Sequence, residues 1–179
     1  MIQRVQSLLL FFSALLMLIF LFVPIWQGSN KAANNEGKIF EGKVSLKAFK
    51  LTLEGVEKTT VKTEFNSNVS EIKIDEKFNV VYIVIPAIIS IIISAFSIFQ
   101  FKNRILQMKL GMFNTLIIIG VLGGVFLGIR KGKSLLPVIE NDDFMIGFLL
   151  PVIALILNVM ANRFIRNDEK LVKSADRFR

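Results

Sequence analysis

Four stretches of about 20 residues in this chain, 7–25, 80–99, 110–129 and 144–165, are nearly free of charged side chains. That is the length an α-helix needs to cross roughly 30 Å of hydrocarbon at about 1.5 Å per residue. A soluble domain of 179 residues can bury one such helix in its core, but it cannot hide four. The composition agrees, with 53% hydrophobic against 20% charged residues, the apolar ones bunched rather than spread. The predicted fold class is membrane α-helical: a four-transmembrane-helix bundle with a small antiparallel β-sheet inserted between helices 1 and 2.

The first span follows a single charge, Arg4, and runs into Pro24, Trp26 and Gly28. It is longer than the apolar core of a typical signal peptide and no A-x-A site follows, so it reads as an uncleaved helix. From 27 to 79 the pattern changes to short alternating runs: Val44 and Leu46; Phe49, Leu51 and Leu53; Val61, Thr63 and Phe65; Ile72 and Ile74. Period-two alternation puts one face of each run on a core and leaves Lys43, Lys47, Lys50, Lys62 and Lys73 on the solvent side. Glu54-Gly55-Val56 and Asn66-Ser67-Asn68 carry turn chemistry between runs. The expectation is a meander of three or four strands resting on the outer ends of the helices, because so small a sheet is marginal alone. The domain organisation is then helix 1 over 1–26, an extracytoplasmic β-rich domain over 27–79, helices 2–4 within 80–165, and a tail over 166–179.

Trp26 and Tyr82 are expected at the same membrane face, as interfacial anchors in an aromatic belt. With both termini cytoplasmic, Arg4, Lys102, Arg104, Lys109 and the basic tail lie inside. The outer segments are nearly balanced, 12 Lys and Arg against 11 acids. Arg130, Lys131 and Lys133 fall on the wrong side for the positive-inside rule, yet a long folded loop translocates with little regard to charge. This orientation makes the β-domain periplasmic if the host membrane is a bacterial inner membrane.

The chain has no Cys and no His, which excludes thiol nucleophiles, disulfides, Cys/His zinc sites and haem histidines. No catalytic, cofactor or metal site is expected. The net charge of +8 gathers beside membrane spans, so anionic lipid is a sufficient partner and nucleic acid is not expected. Within the spans the polar side chains are Ser13, Ser90, Ser94, Ser97, Asn114, Thr115 and Asn158, with no carboxylate or cation away from the ends. A proton relay or ion path would need such groups. Asn114 and Asn158 read as interhelical hydrogen-bonding groups.

Gly120, Gly124 and Gly128 recur at four-residue spacing and suggest close helix packing, within the chain or between subunits of a homo-oligomer. Glu140, Asp142 and Asp143 precede the fourth span; they offer too few oxygens for a calcium or magnesium shell and favour a helix N-terminus. They leave open a membrane enzyme acting at the lipid interface. Asn68-Val69-Ser70 has the form of a glycosylation acceptor, relevant only in a secretory-pathway host. In the tail, a continued helix puts Arg163, Arg166, Lys170, Lys173 and Arg177 on one stripe with Leu171, Val172, Ala175 and Phe178 opposite. Such a face suits anionic lipid or an acidic cytoplasmic partner.

The start Met1-Ile2-Gln3-Arg4-Val5-Gln6, the four spans and the ending from Ala161-Asn162-Arg163 to Arg177-Phe178-Arg179 resemble an uncharacterised four-helix inner-membrane family of Bacteroidota. The resemblance implies a Gram-negative inner membrane and carries no activity. The layout is also similar to claudins in topology, without their paired-cysteine signature. The functional expectation is a structural or accessory subunit of a membrane protein complex, with a membrane-protein partner; the alternative is a small oligomeric channel or transporter.

Overall fold

The computed structural model describes residues 2–33, 38–63, 66–100, 103–135 and 141–176. Its elements in chain order are α1 (Ile2–Phe20), β1 (Trp26–Ala33), β2 (Lys38–Leu46), β3 (Lys50–Thr63), β4 (Asn66–Asn79), α2 (Val81–Phe99), α3 (Arg104–Leu135), β5 (Asn141–Phe144) and α4 (Ile146–Asp176). Three helices contain segments long and apolar enough to cross a membrane: Val81–Phe99, Arg104–Leu135 and Ile146–Val172. The fourth, α1, is apolar and shorter over Val5–Phe20.

The four helices form a ring in which each packs on its two chain neighbours and α1 closes against α4. Every helix buries one stripe at helical spacing. On α1 it is Gln6, Leu10, Ser13, Met17 and Phe20, and on α2 it is Ile83, Ala87, Ser90, Ser94 and Ser97. Steps of three and four residues keep these side chains on one face, the geometry of knobs-into-holes bundles. Large apolar side chains face outward along the same helices, among them Phe11, Leu18, Ile85, Ile92, Phe113, Leu116, Phe126 and Ile156. An exterior that apolar suits lipid contact.

The first helix ends earlier than the apolar run. Residues 21–25 stay hydrophobic, but Pro24 has no N–H to continue the ladder, and Leu21 and Phe22 donate instead to the carbonyls of Leu18 and Ile19 at 3.2 and 3.0 Å. The chain then enters β1 directly at Trp26.

The sheet has five antiparallel strands in the order β4-β3-β2-β1-β5. Sequence reading misses β5, because Asn141–Phe144 is polar and short and precedes an apolar helix. Its backbone pairs with β1 from Trp26↔Phe144 to Ser29↔Asn141, so the connection after α3 is part of the sheet. Glu54-Gly55-Val56 is not a turn. It lies inside β3, where Gly55 stands opposite Gly42 on one side and Ile74 on the other. The hairpin turn comes earlier, at Lys47 N–H to the Lys50 carbonyl (2.9 Å), which leaves Phe49 half-exposed rather than on the core face. The β3–β4 connection at 64–65, including Phe65, lies outside the described residues. Since the β2 pairing stops at Lys38↔Thr59, the end of β3 (60–63) and the start of β4 (66–69) pair only with each other among the described residues and form a two-stranded projection.

The sheet core and the bundle core are continuous. Val44, Leu46, Ala48, Leu51 and Leu53 cluster with Phe20, Ile25, Trp26, Ile83, Val121 and Val125.

Candidate functional site

No group of three or more acidic side chains among the described residues could hold a metal ion. The regions where chemistry concentrates are three: the junction between α3 and the sheet, the polar seam between helices, and the basic end of α4.

At the junction, α3 outruns what a bilayer needs. Its 32 residues span about 48 Å, and the segment beyond Ile129 stands against the sheet. Trp26 is fully buried there, so its ring is an internal packing element and not an interfacial anchor. The indole fits because glycine faces it on two sides. A Cβ on Gly28 would lie 2.7 Å from the ring, and one on Gly132 would lie 2.6 Å from it. The indole Nε1 donates to the Asp142 carboxylate, whose other oxygen accepts from the Lys133 ammonium. One carboxylate thus joins β1, β5 and α3. The hydrogen bond from Lys133, and after it that from Trp26, holds the Asp142 carboxyl below the usual carboxylate range. Lys131 lies over the Phe78 ring at 4.7 Å, tying α3 to β4 as a cation–π contact.

Asp142 therefore gives a signed pH expectation. A lowered folded-state pKa contributes stability above the unfolded value of about 3.9, and that contribution is lost as pH falls through the folded value. Asp142→Ala leaves a buried indole N–H unpaired and is expected to cost about 1–3 kcal/mol at neutral pH. Lys133→Ala breaks a half-exposed ion pair and costs less than about 1 kcal/mol. Detergent unfolding curves taken between pH 7 and pH 3 check both, with the charge-dependent part of the Asp142 effect constant above about pH 4 and shrinking as pH falls below the unfolded-state value of about 3.9.

The glycines of α3 divide. A Cβ on Gly124 would touch Ile83 at 3.4 Å, and one on Gly128 would meet Leu46 at 3.1 Å, whereas Gly120 and Gly123 face open space. Four-residue steps advance about 40° per step around a 3.6-residue helix, so a long ladder cannot keep one face. The packed set is Gly124, Gly128 and Gly132, with Gly120 turned outward. Tyr82 is 42% exposed at the start of α2, with its backbone carbonyl against Gly124.

The polar seam lies toward the other end of the bundle. Asn114 Nδ2 donates to Ser94 Oγ at 2.9 Å and to Asn158 Oδ1 at 3.0 Å. Asn158 Nδ2 donates to the Gly111 carbonyl and to Thr115 Oγ1, both at 2.9 Å. Ser13 Oγ reaches the Ala154 carbonyl at 3.1 Å, and Gln107 Nε2 reaches the Ser97 carbonyl at 3.2 Å. Polar groups thereby link α2 to α3, α3 to α4 and α4 to α1. Gln107 and the buried Gln6 escape sequence reading because they sit at span ends, and Gly111 because it stands outside the glycine ladder. A Cβ on Gly111 would lie 2.0 Å from Asn162 Oδ1, so this glycine makes room for the Asn162 amide. Asn158→Leu is expected to lower stability by about 2 kcal/mol, three membrane hydrogen bonds at roughly 0.6 kcal/mol each, read as a shift in SDS unfolding.

The family assignment follows from the whole chain. A family model described as "Domain of unknown function (DUF4293)" matches residues 2–178. The chain belongs to the DUF4293 family. No curated protein matches it. The DUF4293 match takes in both the sheet and all four helices, so these form one family unit.

At the far end of this DUF4293 bundle, α4 continues as helix to Asp176. Arg163, Arg166 and Lys170 line a cleft of 570 Å³ against α3, together with Lys109. Lys173 lies on the same helix, and Arg177 and Glu140 lie outside the described residues. Asp168, which stands three, four and seven residues before Leu171, Val172 and Ala175 and so on their side of the helix, turns to α3 and pairs with Arg104 Nη1 at 3.2 Å. Leu171 and Val172 are exposed.

Proposed function

We propose that this DUF4293 protein is a non-enzymatic, four-span subunit of an inner-membrane complex that holds a periplasmic sheet at a fixed position for contact with another membrane protein. The observation that carries the reading is the Trp26 junction. A buried indole between Gly28 and Gly132, bonded to Asp142, fixes the sheet to α3 through side chains of three elements. A sheet on a flexible tether would need none of this.

Further features support the reading. The 19 residues of α1 rise about 28 Å, and the apolar residues 21–25 extend that reach, which suits a fourth crossing. Lys131 and Lys133 are engaged by Phe78 and Asp142, so their presence on the outer side has a structural reason and does not speak against cytoplasmic termini. The 14-residue β4 is an edge strand, and with β3 it extends about 45 Å from its base beside α2. The outer edge of a strand that long, with no further strand on it among the described residues, is a template for contact with another chain. The seam residues bond to one another across helices, which favours a scaffold over a conduit.

A photo-crosslinking residue at Glu76 on β4 tests the proposal in cells. The expected result is one recurrent membrane-protein adduct that disappears when the β3–β4 projection is shortened to the length of β2. A protein that stays monomeric and uncrosslinked, at Glu76 and at Ser67 alike, contradicts it.

A further inference from the structure

The geometry points to a binding site for an anionic glycerophospholipid in the cleft between α3 and α4, with its phosphate among Lys109, Arg163, Arg166 and Lys170 and an acyl chain along Met108 and Met112. The inference rests on the reading that these helices span the bilayer.

The 570 Å³ cleft combines two linings that belong to different solvents. Its basic part brings cations from two helices against a single lining carboxylate, Glu169, so the net lining charge favours an anion. The neighbouring Arg104 is already held by Asp168, which keeps that acid out of the cleft and leaves the four cations facing one region. Its apolar part leads along α3 toward the uncharged segment, and Met112 is 67% exposed there. A soluble anion would use the cations and leave the methionine floor in water. An acidic peptide would meet a floor lying within hydrocarbon. A lipid with an anionic head and a flexible chain satisfies both parts at once, since methionine side chains adapt to irregular apolar shapes and basic pockets between helices on the cytoplasmic side favour anionic head groups. The continuity of α4 into the tail matters here, because it sets Arg163, Arg166 and Lys170 at spacings of three and four residues on the face turned to α3.

The test uses the purified full chain in neutral detergent, with apparent melting temperature measured after adding dioleoyl phosphatidylglycerol or dioleoyl phosphatidylcholine. Phosphatidylglycerol at a hundredfold excess over its Kd is expected to raise the transition by about 5 °C or more, and phosphatidylcholine by much less. Arg163→Gln with Arg166→Gln is expected to abolish the difference. Lys43→Gln with Lys47→Gln, which removes the same charge from the sheet, leaves it intact. Met112→Trp keeps every cation, fills the floor, and is expected to reduce the shift at least threefold. Equal shifts from both lipids, a shift retained in the double Arg variant, or the full shift from glycerol phosphate alone would overturn the site. Carbonate-resistant membrane retention of the same variants separates the two readings: retained protein without lipid selectivity refutes the site and leaves the membrane reading standing.

Discussion

Trp26→Ala is expected to cost about 3–5 kcal/mol and to release the sheet from the bundle. The indole is completely buried, and it fills space that two glycines leave open on β1 and α3. Removing it empties a cavity that backbone on neither side can collapse to fill, because those backbones are held by the β1–β2 and β1–β5 ladders and by helix α3. It also strips Asp142 of its indole donor, so the link between β5 and β1 side chains weakens at the same time. The expected signature is asymmetric: a fall of about 10 °C in apparent melting temperature, with new protease cleavage confined to the sheet and the helices protected. Equal loss of protection in sheet and helices would mean that Trp26 stabilises the fold generally and does not dock one layer on another.

The second large effect comes from a single methyl group. Gly147 opens α4 against the α1–β1 corner, where its N–H donates to the Pro24 carbonyl at 3.1 Å. A Cβ there would lie 2.4 Å from that carbonyl oxygen and 2.8 Å from its carbon, both backbone atoms with no rotamer to yield. Gly147→Ala is therefore expected to lose about 1–3 kcal/mol net, despite the helix propensity of alanine. The same change at Gly120, which faces open space, should stabilise by up to about 1 kcal/mol. Opposite signs for one substitution, measured side by side in SDS titration, check the packing at both places; a loss at Gly120 as large as that at Gly147 would indicate that Gly120 is covered by another helix.

How much was legible in the sequence depended on what each element is made of. The apolar runs announced α2, α3 and α4 because a membrane-length hydrophobic run is a signal summed over twenty residues. Boundaries were less legible: α3 extends to Leu135 through Arg130, Lys131 and Lys133, where charge conceals a helix held by the sheet. Strand β5 had four polar or mixed residues and no period to detect, since its partner lies over a hundred positions earlier. Gly55 looked like punctuation and is a strand residue, because cross-strand pairing on both sides outweighs local turn preference. Trp26 beside a span read as a lipid anchor, and only the pairing of Gly28 with Gly132 around it shows otherwise; no local pattern encodes a contact between residues so far apart. Asn114 and Asn158 are legible as interhelical hydrogen-bonding groups, because polar side chains are so scarce within the spans that the scarcity is itself the signal.

The measurement closest to the central claim exploits the lack of cysteine in the chain. Single variants Lys43→Cys on the sheet, Asn103→Cys between α2 and α3, and Asn167→Cys on α4 each place a thiol at an exposed position. A membrane-impermeant maleimide applied to intact spheroplasts is predicted to label Lys43→Cys at once, and to reach Asn103→Cys and Asn167→Cys only after the membrane is opened. Labelling of Asn103→Cys or Asn167→Cys from outside, or protection of Lys43→Cys until lysis, would contradict a four-span protein with its sheet outside and both termini within.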